Sequence, residues 1–162
     1  MTMRTPTESA ALEAAARSWL GTPFVPNSAV MGSGVCCHRL VAEVLFEAGW
    51  LPRFDVPAGA PMHGRAADNS EMERWFDTSP LFTDADPGRL CATDAAGALA
   101  LLQPGDVVCS RPARLPWHLA LALERGRFLH VQYGGSVQIA PNLPPVWAAR
   151  LARLWRPIPH SP

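Results

Sequence analysis

Apolar positions recur at helical spacing in the first third of the chain and alternate with other residues in the last third. Between Thr7 and Leu20, the residues Leu12, Ala15, Ala16, Trp19 and Leu20 fall at three- and four-residue steps, and Gly21 supplies a stop, which predicts a first helix. From Cys37 to Ala48 the apolar residues Leu40, Val41, Val44, Leu45 and Ala48 share one helical face, with Gly49 as terminator, which predicts a second. Residues 21–34, GTPFVPNSAVMGSG, separate the two and are broken by glycine and proline too often for a regular element. Shorter helices are expected over Ser70–Phe76, opened by a capping box of Ser70 and Glu73, and over Asp94–Leu102.

After Leu102 the period changes to two. QPGD at 103–106 reads as a turn, and strands are expected over 107–110, 117–123, 127–132, 136–139 and 151–155. ERGR at 124–127 joins the two middle strands in a tight hairpin through Gly126, and the tail from Trp155 onward reads as a loose end. Helices followed by antiparallel strands is the α+β order, and 162 residues suit a single domain spanning 1–162.

Charge and cysteine content narrow the function. Fourteen arginines balance fourteen acidic residues with no lysine, so there is no net positive field for a nucleic-acid backbone. No stretch reaches the length of a membrane span, and the first twenty residues lack the apolar core of a signal peptide, so the expected location is the cytoplasm or a particle. Cysteines 36, 37, 91 and 109 form neither a disulfide framework nor a paired zinc motif; zinc held by Cys36, Cys37, His38 and His118 is disfavoured because adjacent cysteines reach one ion poorly. No metal and no organic cofactor is expected.

Free thiols then become candidate nucleophiles. Cys36 and Cys37 open the second helix, where unpaired N–H groups and the helix dipole favour a thiolate and can receive an oxyanion. His118 and His130 lie on the two hairpin strands, phased so that His118 shares a face with Ala120 and Ala122 while Leu119, Leu121 and Leu123 point into a core. The small alanines are expected to admit the helix terminus to His118, and the hairpin to set His130 beside it. Nucleophile, base and orienter is the general arrangement of thiol catalysis. Each residue has an ordinary reading as well: a helix-start cysteine is most often small apolar filler, and Arg111, Arg114 and Trp117 are more readily snorkelling or half-buried side chains than the wall of a substrate groove.

GTPFVPN at 21–27, GSGVCCHRLVAEVLFEAG at 32–49, LQPGDVV at 102–108 and WHLALALERGRFLHV at 117–131 resemble, in order, the blocks of NlpC-type cell-wall peptidases of the papain-like superfamily. In that family a Gly-Thr-Pro-Tyr loop precedes an Asp-Cys-Ser-Gly helix start, and a His-Val-Gly-Ile strand leads through a hairpin to Ile-His-Ala. The resemblance implies a papain-like fold with N-terminal helices on an antiparallel sheet or half-barrel, and leaves 50–103 as a variable insertion. It implies Cys37 as nucleophile, His118 as base and His130 as its orienter, in a hydrolase that cleaves an amide next to γ-linked D-glutamate in peptidoglycan stem peptides.

The departures from the family pattern lie near the reacting centre. Phe24 replaces the loop tyrosine whose hydroxyl is implied to assist the oxyanion, Asn27 stands in the loop as a replacement donor, and Cys36 stands where aspartate is usual; His38 follows the nucleophile, where its N–H is part of the implied oxyanion site and its side chain is expected to be exposed or at the substrate rim. The loop shape is nearest in look to phage-tail and gene-transfer-particle members. Two other readings follow: a thiol hydrolase or acyltransferase acting on another amide or ester, and a catalytically lapsed structural component of a phage-like particle. The permuted lipid-acyltransferase relatives place histidine before cysteine, the reverse of the order here.

Overall fold

The computed structural model describes residues 5–58, 70–86, 88, 91, 93–111 and 117–159. Helix α1 (Pro6–Ser18) starts one residue earlier than the apolar stripe predicts, because Thr5 and Glu8 form a reciprocal capping box and Pro6 occupies the first turn without losing a hydrogen bond. Gly21 then turns with φ 80°. The loop that follows contains a two-residue ribbon, β1 (Ala29–Val30) against β2 (Gly34–Val35), which no periodicity announces. Gly34 permits it: a Cβ there would lie 2.5 Å from the Val25 side chain. Helix α2 (Cys37–Glu47) begins where expected, and the Trp19 indole N–H donates to both Glu47 carboxylate oxygens at 3.2 and 3.1 Å, fastening α1 to it.

The region expected to be an insertion contributes to the sheet. Helix α3 (Ser70–Thr78), strand β3 (Phe82–Asp84) and helix α4 (Ala95–Ala100) precede strands β4 (Val107–Ser110), β5 (His118–Ala122), β6 (Phe128–His130) and β7 (Gln138–Ala140). A short helix α5 (Pro145–Ala148) and strand β8 (Leu151–Pro157) complete the described chain. The antiparallel sheet has the order β3-β8-β4-β5-β6-β7. Strand β8 runs past its expected end at Trp155 into the segment read as a loose tail: Trp155 to Pro157 pair with Asp84 to Phe82, and Trp155 is buried, stacked on Phe76. Burial of the indole outweighs the disorder expected of a terminus.

Each face of the sheet closes its own core. Leu119, Leu121, Leu129 and Trp155 pack with Leu12, Leu40, Val44, Leu45 and Phe76 from α1, α2 and α3. Val108, Ala120, Ala122, Phe128 and Leu154 pack on the opposite face with Ala98, Leu143 and Trp147. The alternation is the pleat of the strand. The alanine face was expected to admit the end of α2. Instead, the apolar stripe of α2 lies against the leucines, which offer far more area to bury, and the alanines receive the Trp147 indole.

Two polar fixings hold the sheet. The PGD turn is fixed by Gly105, at φ 87°, where a Cβ would meet the Trp50 ring at 2.0 Å, and by Asp106, fully buried, which accepts from Arg156 Nε at 2.8 Å, Arg156 Nη2 at 2.6 Å and the Gln103 N–H at 2.8 Å. Glu73, expected in a capping box with Ser70, makes a longer link. Its carboxylate takes the Arg111 guanidinium in a two-point ion pair and the Trp117 indole N–H at 3.0 Å, joining α3 to the ends of β4 and β5; the Ser70 side chain lies outside the described atoms.

Candidate active site

Cys36 is the N-cap of α2 and Cys37 its first residue, and no side chain caps the helix. The first helical hydrogen bond runs from Leu40 N–H to Cys36 O at 2.9 Å, so the N–H groups of Cys37, His38 and Arg39 are not consumed by it. Cys37 is half-buried at the margin of the helix-side core, which brings its sulfur to the start of β5. Burial dominates its acidity and, with the neighbouring Cys36, pushes the thiol up to about 12, while the N–H groups of Leu119, His38 and Cys37 itself act in the opposite direction. The Leu119 amide is open to this role because the β5–β6 register runs only through Leu121↔Leu129 and Ala122↔Phe128.

His118, the residue before Leu119, begins β5 and projects into the second core. Trp147 lies stacked on its ring at 3.9 Å between centroids. The β5–β6 register sets His130 diagonally across from His118 on the same face, with the ring centroids 5.5 Å apart and nearly perpendicular. Both imidazoles are held neutral. Burial, then the neighbouring His130, lowers His118 to about 3, and burial alone lowers His130 to about 4. The structure therefore brings His118 and His130 together as the sequence led us to expect, and brings Cys37 to the adjacent backbone amide. Among the described residues no hydrogen bond joins Cys37 to His118, and His118 Nε2 and both His130 nitrogens have no partner.

The remaining sequence candidates frame the thiol. Cys36 Sγ lies 3.5 Å from Nδ1 of His38, and both residues are buried, so His38 faces its neighbour's thiol and not open solvent; burial lowers it to about 4. Asn27 turns with φ 53°, and its N–H is one of the groups that favour a Cys36 thiolate against the larger effect of burial. Asn27 thus belongs to the surroundings of Cys36. Phe24 sits edge-on to Tyr133 with centroids 5.8 Å apart, and its backbone N–H donates to Gly135 O at 2.9 Å. Arg111 and Trp117 are tied to Glu73 as described above, and Arg114 lies outside the described residues.

Two residues of the site were not singled out from sequence. Ser110, buried and opposite His118 on β4, places a hydroxyl without a partner beside the imidazoles. Period-two phasing of β4 against β5 would have found it. Trp147 belongs to a four-residue helix after consecutive prolines, and nothing local to it points at His118. No group of three or more His, Cys, Asp or Glu residues that could hold a metal occurs among the described residues.

No protein-family model matches the sequence, and no curated protein does. The fold is nevertheless shared with solved structures. An NLP/P60 family protein of Staphylococcus aureus described as similar to a lipoprotein superposes with a TM-score of 0.57 at 18% identity over 98% of this chain. The chain spans 44% of that protein's length. The peptidoglycan hydrolase RipB of Mycobacterium tuberculosis superposes at 0.53 and 16% identity, covering 99% of this chain and 75% of RipB. The NlpC/p60 domain of the peptidoglycan hydrolase SagA does so at 0.50 and 18%, covering 90% of this chain and 96% of that domain. The architecture is therefore the α+β, papain-like fold of NlpC/P60 proteins. The likeness to phage-tail members gains no support from these three.

Proposed function

We propose that the chain is a cysteine hydrolase that cleaves amide bonds of peptidoglycan stem peptides next to γ-linked D-glutamate, through a thioacyl-enzyme. One observation carries the reading: Cys37 lies at an uncapped helix start, beneath the N–H groups of Cys37, His38 and Leu119, one residue along β5 from a buried imidazole pair. The two solved hydrolases of this fold described as acting on peptidoglycan support the choice of substrate class.

Cys37 Sγ attacks the scissile carbonyl while its proton passes to His118. The carbonyl oxygen becomes an oxyanion that backbone N–H groups at the helix start can receive. His118 returns the proton to the leaving amine, the C–N bond breaks, and water, deprotonated by the same imidazole, releases the acyl group and restores the thiol. His130 orients the base. In the free protein both partners are neutral, with the thiol pushed up and the imidazoles pushed down. The ion pair is therefore formed with substrate in place, not stored beforehand.

The deciding experiment is incubation of the purified chain with synthetic stem peptides containing L-Ala-γ-D-Glu, followed by mass spectrometry. Cleavage by wild type, an acyl adduct on Cys37 and complete loss in Cys37→Ala are expected. An inert wild type across stem-peptide variants would remove the reading. A lapsed particle component is the second reading, favoured by Phe24 at the tyrosine position and by the absence of a Cys37–His118 hydrogen bond among the described residues. It requires that no adduct form.

A further inference from the structure

One side chain closes the sheet face that carries the imidazoles. Trp147 stacks on His118 with centroids 3.9 Å apart and ring planes 25° from parallel. It meets His130 nearly perpendicular, at 5.0 Å and 85°. Trp147, His118 and His130 are only 4%, 6% and 1% exposed, so the three rings form a compartment nearly closed to solvent. Ser110, 1% exposed, borders it from β4. Within it Ser110 Oγ, His118 Nε2 and both His130 nitrogens have no hydrogen-bond partner.

Such a compartment is costly, since each buried polar group left unpaired gives up its hydration without a replacement bond. Packing alone does not account for it. The rest of this core is aliphatic apart from Phe128, with Val108, Ala120, Leu143 and Leu154 among its members, and an aliphatic residue at 147 would fill volume without lying flat on an imidazole. A flat stack specifies what aliphatic packing leaves free, namely the plane of the histidine ring.

We propose that Trp147 is a positioning residue for His118: the stacked indole fixes the imidazole plane and covers one ring face, with Nε2 enclosed in the compartment and Nδ1 as the basic atom. This deepens the hydrolase reading and rests on it for the use of His118 as base, but the ring geometry is measurable without turnover. In the acylation step the Cys37 thiol proton moves to Nδ1. The Nε2–H stays enclosed in the compartment, and the indole face attracts the resulting imidazolium. On collapse the same Nδ1 proton goes to the leaving amine, so His118 ends neutral in its starting tautomer. Among the described residues, the groups facing the ring are Ser110 from β4, His130 from β6 and the uncharged indole from α5, and His130 is the titratable neighbour that acts on it.

Histidine-labelled protein examined by nitrogen-proton NMR across pH tests this, with wild type, Trp147→Leu and Trp147→Phe compared. Wild type is expected to show His118 as one neutral tautomer, protonated at Nε2 and resistant to acid. Trp147→Leu is expected to mix the tautomers and move the titration midpoint up towards the ordinary value of about 6.5, while Trp147→Phe keeps most of the wild-type signature. With stem peptide, Trp147→Leu should lower kcat roughly tenfold with KM nearly unchanged and move the acid limb of the rate profile to higher pH. Should Trp147→Leu not fold, Trp147→Met takes its place with the same expectations. Tautomer exchange in wild type, or a folded aliphatic variant whose His118 signals and pH profile match wild type, overturns the proposal. If Trp147 controls the tautomer but no protein in the series cleaves peptide, the hydrolase reading falls and the positioning role stands.

Discussion

The ionisable groups of the site are neutral because they are buried, and this has a thermodynamic consequence that needs no substrate. His38, His118 and His130 are lowered to about 4, 3 and 4, whereas an unfolded chain binds those protons near pH 6.5. The unfolded state therefore holds more protons throughout the interval between these values, and stability rises with pH across it. The contribution is complete above about pH 6.5 and is lost as pH falls towards 4 and below. Thermal unfolding should show a midpoint that declines steadily over that range. His130→Leu should flatten the decline; an acid profile identical to wild type in that variant would show that the imidazole takes its proton in the folded state without penalty. Residue-scale legibility from sequence was uneven for a related reason. Cys37 and the two histidines announce themselves by position on a helix start and on phased strands. Trp147 does not, since a stacking partner 29 positions from His118 leaves no periodic trace in either segment.

The elements that bound the site depend on a few fixings whose removal should have graded effects. Asp106 is fully buried and answers Arg156 and the Gln103 amide, joining the β4 turn to β8. Asp106→Ala leaves the guanidinium without its counter-charge and should cost about 3 kcal/mol in denaturant unfolding, without altering which residue is acylated. Gly105→Ala combines a left-handed φ with contact on the Trp50 ring and should cost at least about 2 kcal/mol. A midpoint within experimental error of wild type would mean that the turn relaxes freely. Glu73→Gln should weaken the tie between α3 and the β4–β5 ends, seen as faster proteolysis of that segment. Among elements, α1, α2, β4 and β5 were legible because their apolar periods run long enough to repeat. The β1–β2 ribbon, β3 and α5 were not, being two, two, three and four residues long and defined by their partners alone. The strand expected over 136–139 lies over Gln138–Ala140, because Ser136 and Val137 bond back to the loop at 22–23 and not to β6.

At the scale of the molecule, one sheet with a core on each face separates the groups: Cys37 lies at the margin of the helix-side core and the imidazoles are buried on the opposite face. With arginines and acids in balance, association with an anionic wall polymer should be nearly indifferent to salt, and a sedimentation assay with isolated wall material at low and high ionic strength checks this. The loop before Cys37 and the loop after His130 are laced together by the main chain. Phe24 N–H meets Gly135 O, Gly21 N–H meets Val137 O, and Val137 N–H meets Thr22 O, all within 3.0 Å. Every amino acid except proline brings the same amide to such a seam. Side chains along it are thus free to vary, Phe24 among them, while the spacing of the two loops stays constant. Selection can rewrite the chemistry of this rim one letter at a time without first having to rebuild its frame.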